Sequence, residues 1–151
     1  MVAKDPDHCV FAELAPAILK PLRKMRGVPP PVMAKRMGLS TRAYQDFENG
    51  TTGLLLPRIA RFAEILEVDQ NAIVAAFLLR KPRLAHVFAQ NKFMLIQSSA
   101  VDEFSEDVQD AVAAVDPLTV LDAHMQLYAQ LAELGRTQLR ALRGKGASNG
   151  D

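Results

Sequence analysis

The chain has 151 residues, is 49% hydrophobic and carries a formal net charge of +1, so it holds enough apolar material to bury a core. A single cysteine excludes an internal disulfide. No run of about 18 apolar residues is available to span a membrane, and the acidic, proline-containing start differs from a signal peptide. We therefore expect a cytoplasmic protein.

Charge is distributed unevenly along the chain. Residues 1–92 contain 14 basic and 8 acidic side chains, whereas residues 93–151 contain 4 and 9. Seven basic residues and no acidic one lie between positions 14 and 45, and seven acidic residues and no basic one lie between positions 102 and 122. The first segment could meet a polyanion, although on charge alone a solvated helix face is the favoured interpretation.

Apolar residues recur three and four positions apart along nearly the whole chain, which predicts an all-α fold. A first stripe of Leu19, Leu22 and Met25 ends at Gly27, before three consecutive prolines at 29–31. A short second helix follows. Its inward-facing residues are expected to be Met33, Ala34 and Met37. Gly38 then ends this helix in the left-handed conformation that glycine tolerates.

The third helix is expected over residues 41–48, with Ser40 as its N-cap and Asn49-Gly50 at its end. Its pattern separates two faces, with Tyr44 and Phe47 on the inward one. The residues that fall outward are Thr41, Arg42, Gln45 and Asp46.

Two more helices complete a compact unit of five. The fourth begins near Leu56-Pro57, and its apolar positions are Ile59, Phe62, Ala63 and Leu66. The fifth begins after Asp69, and its apolar positions are Ile73, Val74, Phe77 and Leu78. We place this unit at residues 16–81, after an N-terminal extension at residues 1–15.

Several of these residues together resemble the lambda-repressor-like helix-turn-helix family, which includes Cro and the phage repressors and is also called the XRE family. They are Leu19, Leu22-Arg23, Met33-Ala34, Met37 through Ser40, Glu48-Asn49-Gly50, and Ala63, Leu66 and Val68. The resemblance covers roughly residues 16–79, about half the chain. It implies a five-helix DNA-binding domain. The small Ala34 and the flexible Gly38 also suit two helices that cross at about 90–120° over a tight turn.

The resemblance further implies that helix 41–48 enters the major groove of double-stranded DNA. The base-reading positions of the family fall on Thr41, Arg42, Gln45 and Asp46. Its phosphate-contacting positions fall on Ser40 and Asn49. A nonspecific electrostatic hold on phosphates is expected from Lys20, Arg23, Lys24, Arg26, Lys35 and Arg36, among which Lys24, Lys35 and Arg36 are our main candidates.

Three departures from the family pattern qualify this prediction. The first motif helix commonly opens with Thr-Gln, where backbone amides meet a phosphate, but residues 29–31 are prolines without an N–H. Asp46 either accepts a hydrogen bond from a cytosine amino group or pairs with Arg42. The usual proline after Glu-Asn-Gly is replaced by Leu54, and residues 53–56 are expected to be core or staple residues, with a protein contact as the alternative.

The remaining chain resembles no family that we can name. The basic break Arg80-Lys81-Pro82-Arg83 is interpreted as a hinge, which serves either as a linker or as an extra phosphate contact. Residues 84–95 suggest a helix, although 93–96 also fit a short strand. A helical stripe follows at Val101, Phe104, Val108, Val112 and Val115, and Asp116-Pro117 is expected to start the last helix.

The last helix carries a nearly regular heptad pattern. Its positions, in alternating steps of three and four, are Leu118, Leu121, Met125, Tyr128, Ala132, Gly135, Leu139 and Leu142. Further leucines widen the stripe, which fits packing against the 101–115 helix on one side and a second subunit on the other. We therefore expect residues 82–143 to form a helical oligomerisation or partner region of a homodimer, with a monomeric bundle as the alternative, and residues 144–151 to be a disordered tail.

The sequence offers little support for catalysis. The three histidines are scattered, and no phosphate-binding glycine loop, HExxH or CxxC motif is present. We expect no enzyme activity, no cofactor and no metal. The predicted function is a sequence-specific DNA-binding transcriptional regulator, either repressor or activator, that is nucleoid-associated. The alternative is a protein-interaction module, such as an antitoxin-like or RNA polymerase-contacting factor, whose acidic C-terminal helices bind a basic partner.

Overall fold

The computed structural model describes residues 6–53 and 55–147. Within these residues the protein is all-α, without a strand, as the apolar spacing predicts. The helices are α1 (Pro6–Met25), α2 (Pro30–Arg36), α3 (Thr41–Glu48), α4 (Leu56–Leu66), α5 (Gln70–Leu78), α6 (Pro82–Phe88), α7 (Phe93–Val108) and α8 (Pro117–Ala147), and a 3₁₀ helix occupies Gln109–Ala114. No helix among the described residues is long and apolar enough to cross a membrane.

The chain divides into two compact units, Met1–Glu103 and Phe104–Asp151. The core lies in the first unit, where α1 to α6 bury their apolar faces. Its largest fully buried side chains are Tyr44, Phe47, Phe62, Ile18, Leu19, Leu22, Met33, Ile59 and Ile73. The ring of Phe47 lies 6.2 Å from that of Tyr44 and 6.0 Å from that of Phe62, so aromatic packing anchors α3 to α4.

Helix α1 is longer than the sequence indicates, and it shortens the expected extension at residues 1–15. It begins at Pro6 and continues through Pro16 and Pro21, although each proline removes one helical hydrogen bond. Burial of apolar side chains on α1 offsets the cost of the lost hydrogen bonds. Ala15 is inaccessible to solvent, and Phe11 stacks on Phe77 with the ring centroids 4.8 Å apart. The core thus extends N-terminal to residue 16, and residues 1–5 lie outside the described residues.

The termini of α3 follow from local chemistry. Ser40 has extended backbone angles, and its side-chain oxygen accepts a hydrogen bond from the backbone N–H of Ala43 at 3.1 Å. At the other end Gly50 has φ +74°, and a Cβ placed there would lie 2.6 Å from the carbonyl oxygen of Phe11. Glycine is therefore required where the end of α3 approaches α1.

The predicted domain boundary at residues 81 and 82 is not a boundary in packing. Ala85 of α6 and Ala89 after it are buried in the same core. The buried carboxylate of Asp69 accepts hydrogen bonds from the backbone N–H groups of Asn71 at 2.8 Å and Leu95 at 2.9 Å. It therefore caps α5 and also fixes the start of α7, so residues 93–96 are helical rather than a strand.

Leu55 and Leu56, expected as core or staple residues with a protein contact as the alternative, are 38% and 52% exposed and so are not core residues. Leu54 lies outside the described residues.

The second unit departs from the expected pair of packed helices. The stripe from Val101 to Val115 is broken at Gln109, whose φ of +42° ends α7 and leads into the 3₁₀ helix. Val112 and Val115 are exposed, and so is every side chain of α8 from residue 117 to residue 144, so the expected packing between them is not formed.

Helix α8 runs unbroken through Gly135 to Ala147, which places the start of the expected tail in a helix. Residues 148–151 lie outside the described residues.

Candidate nucleic-acid interface

Helix α3 has two faces of opposite character. Its inward face consists of the buried residues Tyr44, Phe47 and Glu48. Thr41, Arg42 and Gln45 are exposed on the other face, and the side chain of Arg42 keeps 87% of its accessible surface. Asp46 lies at the edge between the two, with 37% of its side chain exposed. The residues predicted to read bases therefore share one accessible side of a short, firmly packed helix.

Arg42 and Asp46 form an ion pair along α3, with the Nε atom of Arg42 3.5 Å from the Oδ2 atom of Asp46. The sequence left two alternatives for Asp46, a contact to a cytosine amino group or a pair with Arg42, and the structure contains the pair with Arg42. An exposed i, i+4 pair contributes only about 0.3–0.5 kcal/mol, so it orients the arginine more than it stabilises the helix. Because Asp46 faces Nε, the two terminal nitrogens of Arg42 remain able to donate to a pair of acceptors.

A buried ion pair anchors the end of α3 to α1. The Nε atom of Arg23 donates to the Oε1 atom of Glu48 at 2.6 Å, and its Nη2 atom donates to Oε2 at 3.2 Å. The Nη1 atom of Arg23 donates to the carbonyl of Val28 at 2.9 Å, and the hydroxyl of Tyr44 donates to Oε1 of Glu48 at 2.8 Å. The network satisfies both charges and fixes the angle at which α3 leaves the core.

The pKa values within this network reflect its burial and pairing. The hydrogen bond to Glu48 raises the pKa of Arg23 above its ordinary value, against the opposing effect of burial. Burial raises the pKa of the Tyr44 hydroxyl well above 10, and its hydrogen bond to Glu48 adds to this. Arg23 therefore stays charged and Tyr44 neutral at physiological pH, so the network persists there.

The network corrects the prediction for Arg23, which was expected to hold phosphates. Only 7% of its surface is accessible, and its guanidinium bonds to protein acceptors. In the sequence Glu48 was interpreted only as part of the end of a helix, and its pair with Arg23 was not predicted. A signal was available, because Arg23 follows the buried Leu19 by four positions and Glu48 follows the buried Tyr44 by four, which puts each charge on a core face.

The candidate phosphate-binding residues lie toward both ends of α3. Ser40 precedes its first turn, and Lys35 and Arg36 are exposed in the last turn of α2, just before the connection to α3. Asn49 follows α3 and is exposed. Lys24 is exposed at the end of α1, next in the chain to the Arg23 that bonds α3. Four of the five side chains thus belong to α2 or to the residues that flank α3, and Lys24 belongs to α1.

Arg61 adds a positive charge that the sequence did not single out. Its Nη2 atom donates to the backbone carbonyl of Arg36 at 3.2 Å, and its Nη1 atom bonds Glu64 at 2.7 Å. Arg26, another of the expected basic residues, donates to the backbone carbonyl of Glu67 at 3.1 Å. Both arginines therefore hold the turn after α2 and the end of α4 while leaving charge at the surface.

The start of α2 differs chemically from the family pattern. Pro29 is its N-cap and makes no side-chain capping bond, and the first two helical positions are prolines. These positions have no N–H to offer an anion. The start of α2 therefore offers fewer backbone donors than a helix that opens with Thr-Gln.

Among the described residues there is no group of three or more histidine, cysteine or acidic side chains that could hold a metal ion. A ring nitrogen of His86 lies 3.1 Å from the backbone carbonyl of Ala17, and one of His124 lies 2.8 Å from that of Val120. Each of these two histidines therefore has a backbone carbonyl as its partner, His124 within its own helix and His86 on α1.

No family model matches the chain, and neither the curated proteins nor the solved structures include a match to it. The resemblance to the helix-turn-helix family thus rests on the residues of this chain alone.

Proposed function

We propose that the protein is a sequence-specific regulator of transcription, in which α1 to α5 form a lambda-repressor-like helix-turn-helix domain and α3 lies in the major groove of double-stranded DNA. The observation that carries the proposal is the division of α3 into a face fixed by Tyr44, Phe47 and Glu48 and a face on which Thr41, Arg42 and Gln45 are exposed. A helix of eight residues is marginal alone, so a rigidly held one serves to present its outer face.

The outer face offers the groups that major-groove recognition uses. Arg42 can donate two hydrogen bonds to the O6 and N7 atoms of guanine, and Gln45 can pair in the same way with adenine. Thr41 can contact the thymine methyl group or a phosphate. Asp46 pairs with the Nε atom of Arg42 and so favours an extended conformation of the Arg42 side chain.

Backbone contacts would set the position of the domain on the duplex. Ser40 accepts from Ala43 through its hydroxyl oxygen, so its hydroxyl proton is left to donate to a phosphate. Lys35 and Arg36 would meet the backbone on the same side, and Asn49 and Lys24 would meet it beyond the other end of α3. These contacts add affinity without sequence preference.

The proposal includes a homodimer, because one small domain makes few base contacts and two domains on adjacent half-sites multiply their binding. The core of the first unit reaches past α6, so the dimer contact is assigned to the second unit and α8 in particular. Whether such a dimer represses or activates depends on the position of its site relative to a promoter.

Arg42→Ala tests the base-reading role. It should weaken binding to the preferred DNA site by about 1–3 kcal/mol and relax the preference at a single G·C pair, because a bidentate arginine contact discriminates by that amount. The fold should be unchanged, since the side chain is 87% exposed. Competition binding against a library of site variants gives both quantities.

A matched control is Arg140→Ala, which removes an exposed arginine from α8 and should leave base preference intact. If Arg42→Ala kept both the affinity and the base preference of the unaltered chain, α3 would not be the reading element.

Lys35→Ala tests the phosphate-binding role. Loss of one phosphate contact should weaken binding to all DNA sequences alike, and it should reduce the slope of log affinity against log salt concentration by ~1. Titrations of one duplex at several salt concentrations measure the slope, with Arg140→Ala of α8 as the exposed control that keeps it. An unchanged slope for Lys35→Ala would show that Lys35 is an ordinary solvent-exposed residue that contacts no phosphate.

A further inference from the structure

Helix α8 carries a long apolar stripe that is exposed among the described residues. Every side chain from residue 117 to residue 144 is exposed, and the values reach 73% for Leu118 and 69% for Leu142. The eight stripe positions follow one another in alternating steps of three and four. Such a repeat keeps one seam of a helix facing a second helix along its whole length. A leucine-rich stripe that is exposed to water indicates a contact surface.

We infer that α8 pairs with α8 of a second copy of this chain, antiparallel and in one defined register. The register places four kinds of layer along the seam, each with one residue from either chain. The facing residues are Leu118 with Leu142, Leu121 with Leu139, Met125 with Gly135, and Tyr128 with Ala132. All eight stripe positions are used, and no layer is left without a partner.

Side-chain size favours this orientation. The two smallest stripe residues, Ala132 and Gly135, face the two bulky ones near the centre, Tyr128 and Met125, while leucine faces leucine toward the ends. A parallel pair in register would set Gly135 against Gly135 and leave a gap, and it would set Tyr128 against Tyr128. Because well-packed seams alternate large and small residues across facing positions, the antiparallel pair fills space better.

Charge favours the same orientation. Between residues 117 and 132 the one charged side chain is Asp122, whereas the second half of the helix carries Arg136, Arg140 and Arg143 and one acidic residue, Glu133. Glu133 pairs with Arg136 within the helix at 2.9 Å, so the second half keeps an excess of positive charge. Asp122, Arg136 and Arg143 occupy the same flank of the seam, so antiparallel chains bring the carboxylate of one beside the guanidinium groups of the other. In a parallel pair the flanks would offer no such opposite charges. The helix dipoles also oppose each other when the chains run antiparallel.

Gly135 gives an independent reason for a partner. It lies inside a continuous helix, where glycine is a poor choice. A Cβ added at this position would meet no atom within 4 Å among the described residues outside its own turn of helix, so their packing does not require glycine. The side chain of Met125 from a second copy would occupy this open space in the antiparallel pair.

The inference rests on the homodimer of the proposed function and adds its geometry. Disulfide trapping in a Cys9→Ser background tests it, with one chain carrying Leu121→Cys and another carrying Leu139→Cys. The mixture should form the cross-linked dimer, whereas neither chain alone should, because residues 121 and 139 lie 18 positions or roughly 27 Å apart along the helix. Cross-linking of each chain with itself would indicate parallel pairing and overturn the inference.

A second pair of variants tests the same register without cysteine. Gly135→Leu should raise the dimer Kd in sedimentation by about tenfold, because the added side chain collides with Met125 of the other copy. Gly144→Leu is the control, since residue 144 lies on the side of α8 away from the seam and should leave the Kd unchanged. A Gly135→Leu chain that dimerised more tightly would contradict the inference.

The unaltered chain gives the remaining outcomes. A chain that stayed monomeric at every concentration would overturn the inference and leave α8 to another protein. The base preference assigned to Arg42 is measured separately, so a failure of the α8 pairing and a failure of DNA recognition can be told apart.

Discussion

Glu48→Leu is expected to lower the free energy of unfolding by about 3–5 kcal/mol, because it leaves the guanidinium of Arg23 buried without its carboxylate. The two side chains are 9% and 5% exposed and joined by two hydrogen bonds, so water cannot replace the lost partner without opening the core. Tyr44 would also lose the acceptor for its hydroxyl. Chemical denaturation followed by circular dichroism measures the change.

Two further variants separate pairing from packing. The side chains of Arg61 and Glu64 are 51% and 69% exposed, and Glu64→Leu breaks the ion pair between them. This substitution should change the free energy of unfolding by less than about 1 kcal/mol. The double variant Arg23→Leu with Glu48→Leu should recover much of the lost stability, because it removes both buried charges. A Glu48→Leu chain as stable as the Glu64→Leu chain would show that the buried pair does not hold α3.

Phe47→Ala is expected to cost about 3–5 kcal/mol of unfolding free energy. Its ring is fully buried and contacts the rings of both Tyr44 and Phe62, so the substitution leaves a cavity between α3 and α4. DNA binding should be lost together with the helical signal, whereas Arg42→Ala should lose affinity with the helical signal retained. Thermal unfolding and DNA titration of the same samples compare the two.

Phe104→Ala is the matched control for this substitution, because Phe104 is 54% exposed. It should lower the unfolding free energy of the first unit by much less than Phe47→Ala does. If the two variants unfolded at the same denaturant concentration, Phe47 would not be the core anchor of α3.

The sequence predicted the local features of the first unit well, because these depend on neighbouring residues. The inward positions of Tyr44 and Phe47 follow from helical periodicity, and the cap at Ser40 follows from its hydroxyl beside free amides. The all-α class follows from the same spacing. The recognition role of Thr41, Arg42 and Gln45 stays a prediction, since it depends on a partner molecule.

The features that the sequence did not predict depend on residues far apart in the chain. Arg23 and Glu48 are 25 positions apart, and charged residues are usually on the surface, so the helical spacing that puts each on a core face does not show that the two form a buried pair. Helix α1 continues through Pro16 because Ala15 and Phe11 pack on distant elements. The break at Gln109 is a backbone feature of one residue that the apolar stripe around it does not reveal.

Selection from a pool of random double-stranded DNA tests the central claim most directly. The 151-residue chain is incubated with the pool at physiological ionic strength, and the recovered duplexes are sequenced. We predict enrichment of one motif that contains a G·C pair whose preference is lost with Arg42→Ala. Recovery of duplexes with the same base composition as the input, from a chain shown to be folded, would contradict DNA recognition and favour a protein-interaction module.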